Sequence, residues 1–184
     1  MTGPRRVVLA LGSNLGDRLA NLQAGIDELA RGPGLRPAAV SRVYETTPVG
    51  GPPQPDYLNA VLIAVSALPA ADILLRCLAA ERALHRARTV RWGARTLDVD
   101  VIACGEETSD DPVLTLPHPR ARERAFVLVP WLDADPGARL PGDGPVALLA
   151  AASGGEGVRL VPGATLRLGP GAPRAPGAPQ AARE

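Results

Sequence analysis

Residues 57–65 read YLNAVLIAV, a continuous apolar run that follows the turn-rich segment TPVGGPPQPD (47–56). A short run of this kind, bounded by proline and glycine, predicts a strand at the centre of a sheet. Toward the N-terminus, Val7 to Leu11 form a second buried strand that stops at Gly12. From Asp17 the positions Leu19, Leu22, Ile26 and Leu29 recur at helical spacing, and Gly32-Pro33-Gly34 ends that helix. An extended stretch around Val40 to Thr47 precedes the opening run. Toward the C-terminus, Pro69 suits the first turn of a helix carrying Ile73, Leu74, Cys77, Leu78 and Leu84 on one face. A further strand, TLDVDVIAC, begins at Thr96. Beyond Cys104, an acidic turn (Glu106, Glu107, Asp110, Asp111) leads into LTLPHPRARERAFVLVPWL, read as a short strand and a helix that cover the sheet's edge or second face.

The order strand, helix, strand, strand, helix, strand predicts an α+β fold. Its expected core is a ferredoxin-like βαββαβ unit, an antiparallel sheet with helices packed on it, followed by a C-terminal helical and strand extension. With 184 residues, 46% of them hydrophobic, the chain is long enough for one buried core, and residues 1–168 are expected to form a single domain. Residues 169–184 contain 4 Pro, 3 Gly and 5 Ala and are expected to be a disordered tail.

All 20 basic side chains are arginine; there is no lysine. A P-loop, a protein-kinase strand lysine and Schiff-base chemistry are therefore excluded, and any bound anion must be held by guanidinium groups, backbone N–H groups or metal ions. The net charge of +1 offers no bulk attraction to nucleic acid or anionic membrane, so neither is expected as a partner. Cys77 and Cys104 fit no metal or disulfide framework and read as small core residues. The N-terminal apolar run is too short for a signal core or a membrane span, and the expectation is a soluble protein of the reducing cytoplasm.

The chemistry concentrates between Arg82 and Val101. Five arginines (82, 86, 88, 91 and 95) precede the strand, and in LDVDV the alternation turns Leu97, Val99 and Val101 to one face and Asp98 and Asp100 to the other. Two carboxylates about 7 Å apart repel by roughly 2 kcal/mol at an effective dielectric near 20, so a cation must compensate. Pairing with Arg95 would make an inert ion-pair network. The functional reading is a pair of oxygen ligands for Mg²⁺ beside an arginine-lined site for nucleotide phosphates. Tyr57 and Asn59 share a strand face beside a Pro/Gly loop, an aromatic plane and an amide suited to a flat heterocycle. His118, between two prolines, sits in an extended or turn segment.

Four segments, LALGSNLGD (9–17), TTPVGGPPQPDYLNAV (46–61), RWGARTLDVDVI (91–102) and LPHPRARERAFVL (116–128), give the stretch from Val7 to about Asp135 a resemblance to the 6-hydroxymethyl-7,8-dihydropterin pyrophosphokinase family. The resemblance implies transfer of pyrophosphate from ATP to a pterin alcohol in folate biosynthesis, with two Mg²⁺ ions held by Asp98 and Asp100. It implies Arg86 and Arg95 as catalytic phosphate-gripping residues, with Arg88 and Trp92 in the same loop. It further implies nucleotide contacts from Glu81, His118 and Arg124. The pterin would lie between Tyr57 and Phe126, with Asn59 at its edge and Thr46, Val49 and Trp92 beside it. Its expected partners are these small molecules, and it admits other folate-pathway enzymes. Three positions depart from the usual pattern: His85 stands where glycine is common, Ala94 where proline is, and Pro119 where tyrosine is. A competing reading is a non-catalytic nucleotide- or RNA-binding module, which in a ferredoxin-like sheet would display aromatics on the middle strands.

Overall fold

A computed structural model describes residues 3–48, 50, 52–84, 93–155 and 157–169. Strand β1 (Arg5–Ser13) leads to helix α1 (Arg18–Ala30), then β2 (Leu35–Val40), β3 (Tyr44–Thr46) and β4 (Tyr57–Ser66). Helix α2 (Ala70–Ala83) and β5 (Asp98–Cys104) complete the core. A hairpin of β6 (Ser109–Asp111) and β7 (Leu114–Leu116) and a 3₁₀ turn (Ala121–Glu123) lead to helix α3 (Ala125–Ala134). A second hairpin, β8 (Arg139–Leu140) with β9 (Gly144–Pro145), precedes helix α4 (Val146–Ala152) and β10 (Arg159–Leu160).

The main sheet runs β10-β3-β4-β1-β5, with β2 also paired to β4, and every pairing is antiparallel. β2 and β3 lie end to end along the same side of β4. Where they part, the Ser41 amide donates to the Val61 carbonyl at 3.0 Å and the Ser41 hydroxyl accepts the Val61 amide at 2.9 Å, so the interruption strands no polar group. The α+β expectation holds, with helices on both faces. Leu22, Ile26 and Leu29 of α1 and Ile73 and Cys77 of α2 pack with Leu9, Leu11, Leu62, Val99 and Val101 on one face. Val127, Leu128 and Trp131 of α3 and Val146 of α4 pack with Val8, Val61, Ile63 and Ile102 on the other. The second-face helix expected from the LTLPHP segment is α3.

Element boundaries differ from expectation for local reasons. β2 begins at Leu35 rather than Val40; Pro37 reads as a strand breaker, but β2 is an edge, where an absent N–H costs no ladder bond, and the register shifts by a residue there. Pro69 caps α2 instead of opening it, its carbonyl accepting from the Asp72 and Ile73 amides at 3.0 and 3.2 Å. β5 starts at Asp98, two residues after Thr96. Within β5, Val8 pairs with Ala103 and Leu9 with Val101, so Ile102 is an extra, bulged residue. The expected tail from 170 onward lies outside the described residues.

Helix α1 starts because Asp17 caps it, its carboxylate accepting the Ala20 amide at 3.0 Å. It approaches β5 closely: a Cβ on Gly25 would stand 2.8 Å from Leu97 Cδ2. That contact seats Leu97, fully buried, immediately before the strand that carries the two aspartates.

Candidate active site

The sheet face beneath α3 changes character along its length. On β4 the apolar Ile63 and Val61 give way to Asn59 and Tyr57; on β1, Val8 and Ala10 give way to Gly12; on β5, Ile102 gives way to Asp100 and Asp98. Register aligns these residues across the strands. Asn59 pairs with Gly12 and Gly12 with Asp98, while Ala10 pairs with Asp100. On β3, Tyr44 and Thr46 pair with Asn59 and Tyr57. Gly12 stands in the middle of one rung, and a Cβ there would lie 3.3 Å from Asn59 Oδ1 and 3.5 Å from Tyr57 Cδ1. With no side chain of its own, Gly12 lets Asn59 Oδ1 and the Tyr57 ring close over this rung beside the carboxylates.

On the carboxylate side, each aspartate meets an arginine. Arg95 Nη1 donates to Asp98 Oδ2 at 2.5 Å, and Arg124 Nη1 to Asp100 Oδ2 at 3.0 Å. Burial works against the Arg95 charge, but the charge of Asp98 and the bond to it outweigh burial and hold the Arg95 pKa above the ordinary value. His118 Nε2 lies 3.9 Å from Asp100 Oδ2. Its Nδ1 accepts the Arg120 amide at 3.2 Å, which leaves the proton of the neutral ring on Nε2, toward Asp100. Burial pushes the His118 pKa down, partly opposed by Asp100.

On the amide side, Asn59 Nδ2 donates to Thr46 Oγ1 at 2.7 Å, and both residues are buried. That bond turns Asn59 Oδ1 toward Gly12, where it can accept from an amino or ring N–H group. Tyr57 donates through its hydroxyl to Gln54 Oε1 at 3.4 Å. Phe126, on the first turn of α3, packs partly buried on the same sheet face, with the Arg124 guanidinium 5.5 Å from its ring centre. The structure thus brings Thr46, Tyr57, Asn59, Arg95, Asp98, Asp100, His118, Arg124 and Phe126 to one end of one face.

Glu81 is placed differently. It is buried on α2, and its Oε1 accepts the Val99 amide at 2.9 Å, so its described bond braces the edge of β5 between the two aspartates. Val49, Arg86, Arg88 and Trp92 lie outside the described residues, as does His85.

Asn14 was not singled out by sequence reasoning. Its buried side chain donates from Nδ2 to Gln54 Oε1 and to the Pro55 carbonyl, both at 3.0 Å, and its Oδ1 accepts the Arg95 amide at 2.7 Å. Its own amide donates to the Arg95 carbonyl at 3.0 Å. The residue therefore ties the end of the 47–56 segment to the segment that delivers Arg95. The only hint in the sequence is a polar residue directly after a strand, within GSNLGD.

Asp98 and Asp100 suit Mg²⁺. Both supply hard oxygen atoms from one strand face, and among the described residues no group of three or more His, Cys, Asp or Glu could enclose a metal. A two-carboxylate platform fits an ion that completes its shell with water and substrate phosphate oxygens.

A sequence model described as 7,8-dihydro-6-hydroxymethylpterin-pyrophosphokinase matches residues 8–136. The 2-amino-4-hydroxy-6-hydroxymethyldihydropteridine pyrophosphokinase of Mycobacterium tuberculosis is 47% identical over 145 residues, covering 73% of this chain and 75% of the relative. That of Pseudomonas aeruginosa is 41% identical over 160 residues, covering 87% and 99%. Among solved structures, Plasmodium falciparum HPPK-DHPS superposes with a TM-score of 0.63 at 11% identity. The match covers 83% of this chain but 45% of that one, so this chain spans less than half of that protein's length. The fold, the motif-bearing face and the two close relatives agree: the chain belongs to the 7,8-dihydro-6-hydroxymethylpterin-pyrophosphokinase family.

Proposed function

We propose that this chain transfers the pyrophosphoryl group of ATP to the hydroxymethyl oxygen of 6-hydroxymethyl-7,8-dihydropterin, releasing AMP, as a step of folate biosynthesis. The observation that carries the proposal is the rung Asn59–Gly12–Asp98, which sets an amide suited to a heterocycle and a carboxylate suited to a metal on either side of one glycine. The family relationship supports the same reading.

In this reading the pterin lies over Gly12, between Tyr57 and Phe126, with an N–H group donating to Asn59 Oδ1. Its hydroxymethyl oxygen attacks the β-phosphorus; the new O–P bond forms as the bond from that phosphorus to the α-phosphate bridging oxygen breaks. The hydroxyl proton passes to water beside Asp98, whose carboxylate shares the rung with Gly12. AMP departs with the electrons of the broken bond. Two Mg²⁺ ions held by Asp98 and Asp100 would neutralise charge on the transferring phosphates. A cation at those carboxylates competes with Arg95 and Arg124 for the same oxygens, so each guanidinium can turn from its aspartate to a phosphate. Arg86 and Arg88 add to this grip, His118 donates from Nε2 to the nucleotide, and Val49 and Trp92 complete the pterin side. Glu81 serves through Val99, holding β5 in place.

Asp98→Ala and Asp100→Ala are each expected to lose AMP formation by orders of magnitude while circular dichroism and the thermal midpoint show a folded chain. Rates within a few-fold of wild type in a folded variant would overturn the assignment. The RNA-binding reading loses ground because Asp98 and Asp100 both stand on this face, and carboxylates repel a phosphate backbone. Cys77 and Cys104 are free buried thiols, which supports a reducing cytoplasmic location. Among the described residues no helix is long and apolar enough to cross a membrane. ATP and the pterin are the proposed partners, with other folate-pathway enzymes as further candidates.

A further inference from the structure

Beyond the stretch matched by the family model, residues 158–169 form a strap across the α1 side of the molecule. β10 adds to the edge of β3, with Arg159 opposite Glu45 and Leu160 opposite Tyr44, and the Val161 amide donates to the Val43 carbonyl at 2.9 Å. Further along, Gln23 of α1 exchanges two bonds with the Arg167 backbone, at 3.0 and 2.8 Å, and Val161, Ala164, Leu166 and Leu168 pack against the α1/α2 core.

The strap delivers one guanidinium to a pair of carboxylates. Arg159 Nη2 lies 3.3 Å from Glu45 Oε2 and 3.1 Å from Asp56 Oδ2. Arg18 of α1 reinforces the pair, its Nη1 donating to Glu45 Oε1 at 2.9 Å and to the Asp56 carbonyl at 2.7 Å. Glu45 and Asp56 are the residues directly before Thr46 and Tyr57. Thr46 and Tyr57 are paired across β3 and β4, and they bound the 47–56 segment at its two ends. The four charges therefore sit at the foot of that segment, one residue away in each strand from the proposed pterin contacts. An exposed ion pair alone contributes little. Here a single nitrogen joins two carboxylates that would otherwise repel, and Asp56 has Arg159 as its carboxylate's partner among the described residues.

We propose that Arg159 is a positioning residue for pterin binding: by joining Glu45 to Asp56 it draws together the two ends of the 47–56 segment and so sets the spacing of Thr46 and Tyr57. The proposal rests on the placement of the pterin over Tyr57 and Asn59. It assigns the C-terminal strap a part in substrate affinity at a site from which it is separated by a hundred residues of sequence.

The test is steady-state kinetics on full-length Arg159→Ala, Arg159→Lys and Asn59→Ala, with KM for pterin and for ATP measured separately and each variant's fold checked by thermal melting. Arg159→Ala is expected to raise KM for the pterin by about fivefold, the upper end for an exposed charge pair. KM for ATP and kcat should stay within twofold of wild type. Arg159→Lys should restore the wild-type value, and 0.5 M NaCl should raise the pterin KM of wild type more than that of Arg159→Ala. An unchanged pterin KM in Arg159→Ala, beside a raised one in Asn59→Ala, would overturn this proposal alone. An unchanged pterin KM in Asn59→Ala would overturn the pterin placement beneath it. A fall in kcat and a rise in both KM values together with a lowered melting point would reduce Arg159 to a structural role and also overturn the proposal.

Discussion

Asn14 Oδ1 accepts the backbone amide of Arg95 at 2.7 Å, and through its other side-chain atom Asn14 holds Gln54 and Pro55. One buried amide thus connects the segment that carries Arg95 to the segment that leads into the face proposed for the pterin. In Asn14→Ala the Arg95 amide loses its acceptor, which costs about 1–3 kcal/mol when the group stays buried. A chain of this size loses about 2–4 °C of melting temperature per kcal/mol. The expected result is a melt lowered by several degrees and a fall in kcat larger than any change in KM for ATP. A wild-type melt and rate would show that Asn14 does not hold these segments.

Two glycines make opposite predictions. Gly12→Ala places a methyl against Asn59 Oδ1 and Tyr57 with contacts of ordinary to tight length, so the fold should survive while the surface proposed for the pterin is altered. Its signature is a raised pterin KM with little change in melting. Gly25→Ala drives a Cβ to 2.8 Å from Leu97, and overpacking of this kind costs about 1–3 kcal/mol. It should lower the melting point and, by displacing the residue before Asp98, reduce kcat as well. Differential scanning calorimetry with steady-state kinetics separates the two.

The placement of these groups explains what was legible beforehand. YLNAVLIAV was readable as a central strand because its burial on both faces erases alternation, and LDVDV placed both aspartates on one face because β5 is regular up to Val101. The bulge at Ile102 was not visible, since an extra residue among Val101, Ile102 and Ala103 changes no hydrophobic character. It lets Ile102 and Ala103 share the α3 face while Cys104 returns to the α1/α2 core. Arg124 and His118 were placed at the site by resemblance, and the geometry that joins them to Asp100 comes from packing across the α3 side. Arg18 and Arg159 could not be read at all, and Asn14 only as part of a motif with no partner assigned. Their partners are long-range, with Arg159 and Glu45 114 residues apart, and local patterning carries no information about such pairs.

The Glu45 carboxyl is held below its ordinary pKa, first by its bond to Arg18 and then by Arg159, against the opposing effect of burial. A depressed folded-state pKa means that this stabilisation is present above the unfolded value, about 4.3, and is lost as pH falls through the lower folded value. Wild type should therefore lose stability below about pH 4.3 more steeply than Glu45→Gln, in which no such titration occurs. Urea unfolding between pH 3 and pH 6 measures the difference; parallel curves for the two proteins would remove Glu45 from the account.

Burial pushes both thiols up, Cys104 to about 11 and Cys77 further still. At pH 8 neither forms appreciable thiolate in the folded chain. A disulfide-exchange reagent should label neither cysteine in native protein and both in 6 M guanidinium chloride. Rapid labelling of the native chain would place one of them outside the core.

The central claim is that the polar end of the α3 face carries out pyrophosphoryl transfer. Phosphorus-31 NMR of the wild-type protein with ATP, Mg²⁺ and 6-hydroxymethyl-7,8-dihydropterin tests it most directly. The account predicts that the three ATP resonances are replaced by one AMP signal and the two coupled signals of a pyrophosphate ester, in equal amounts. Formation of ADP with a monophosphate ester, release of orthophosphate, or persistence of ATP would contradict it.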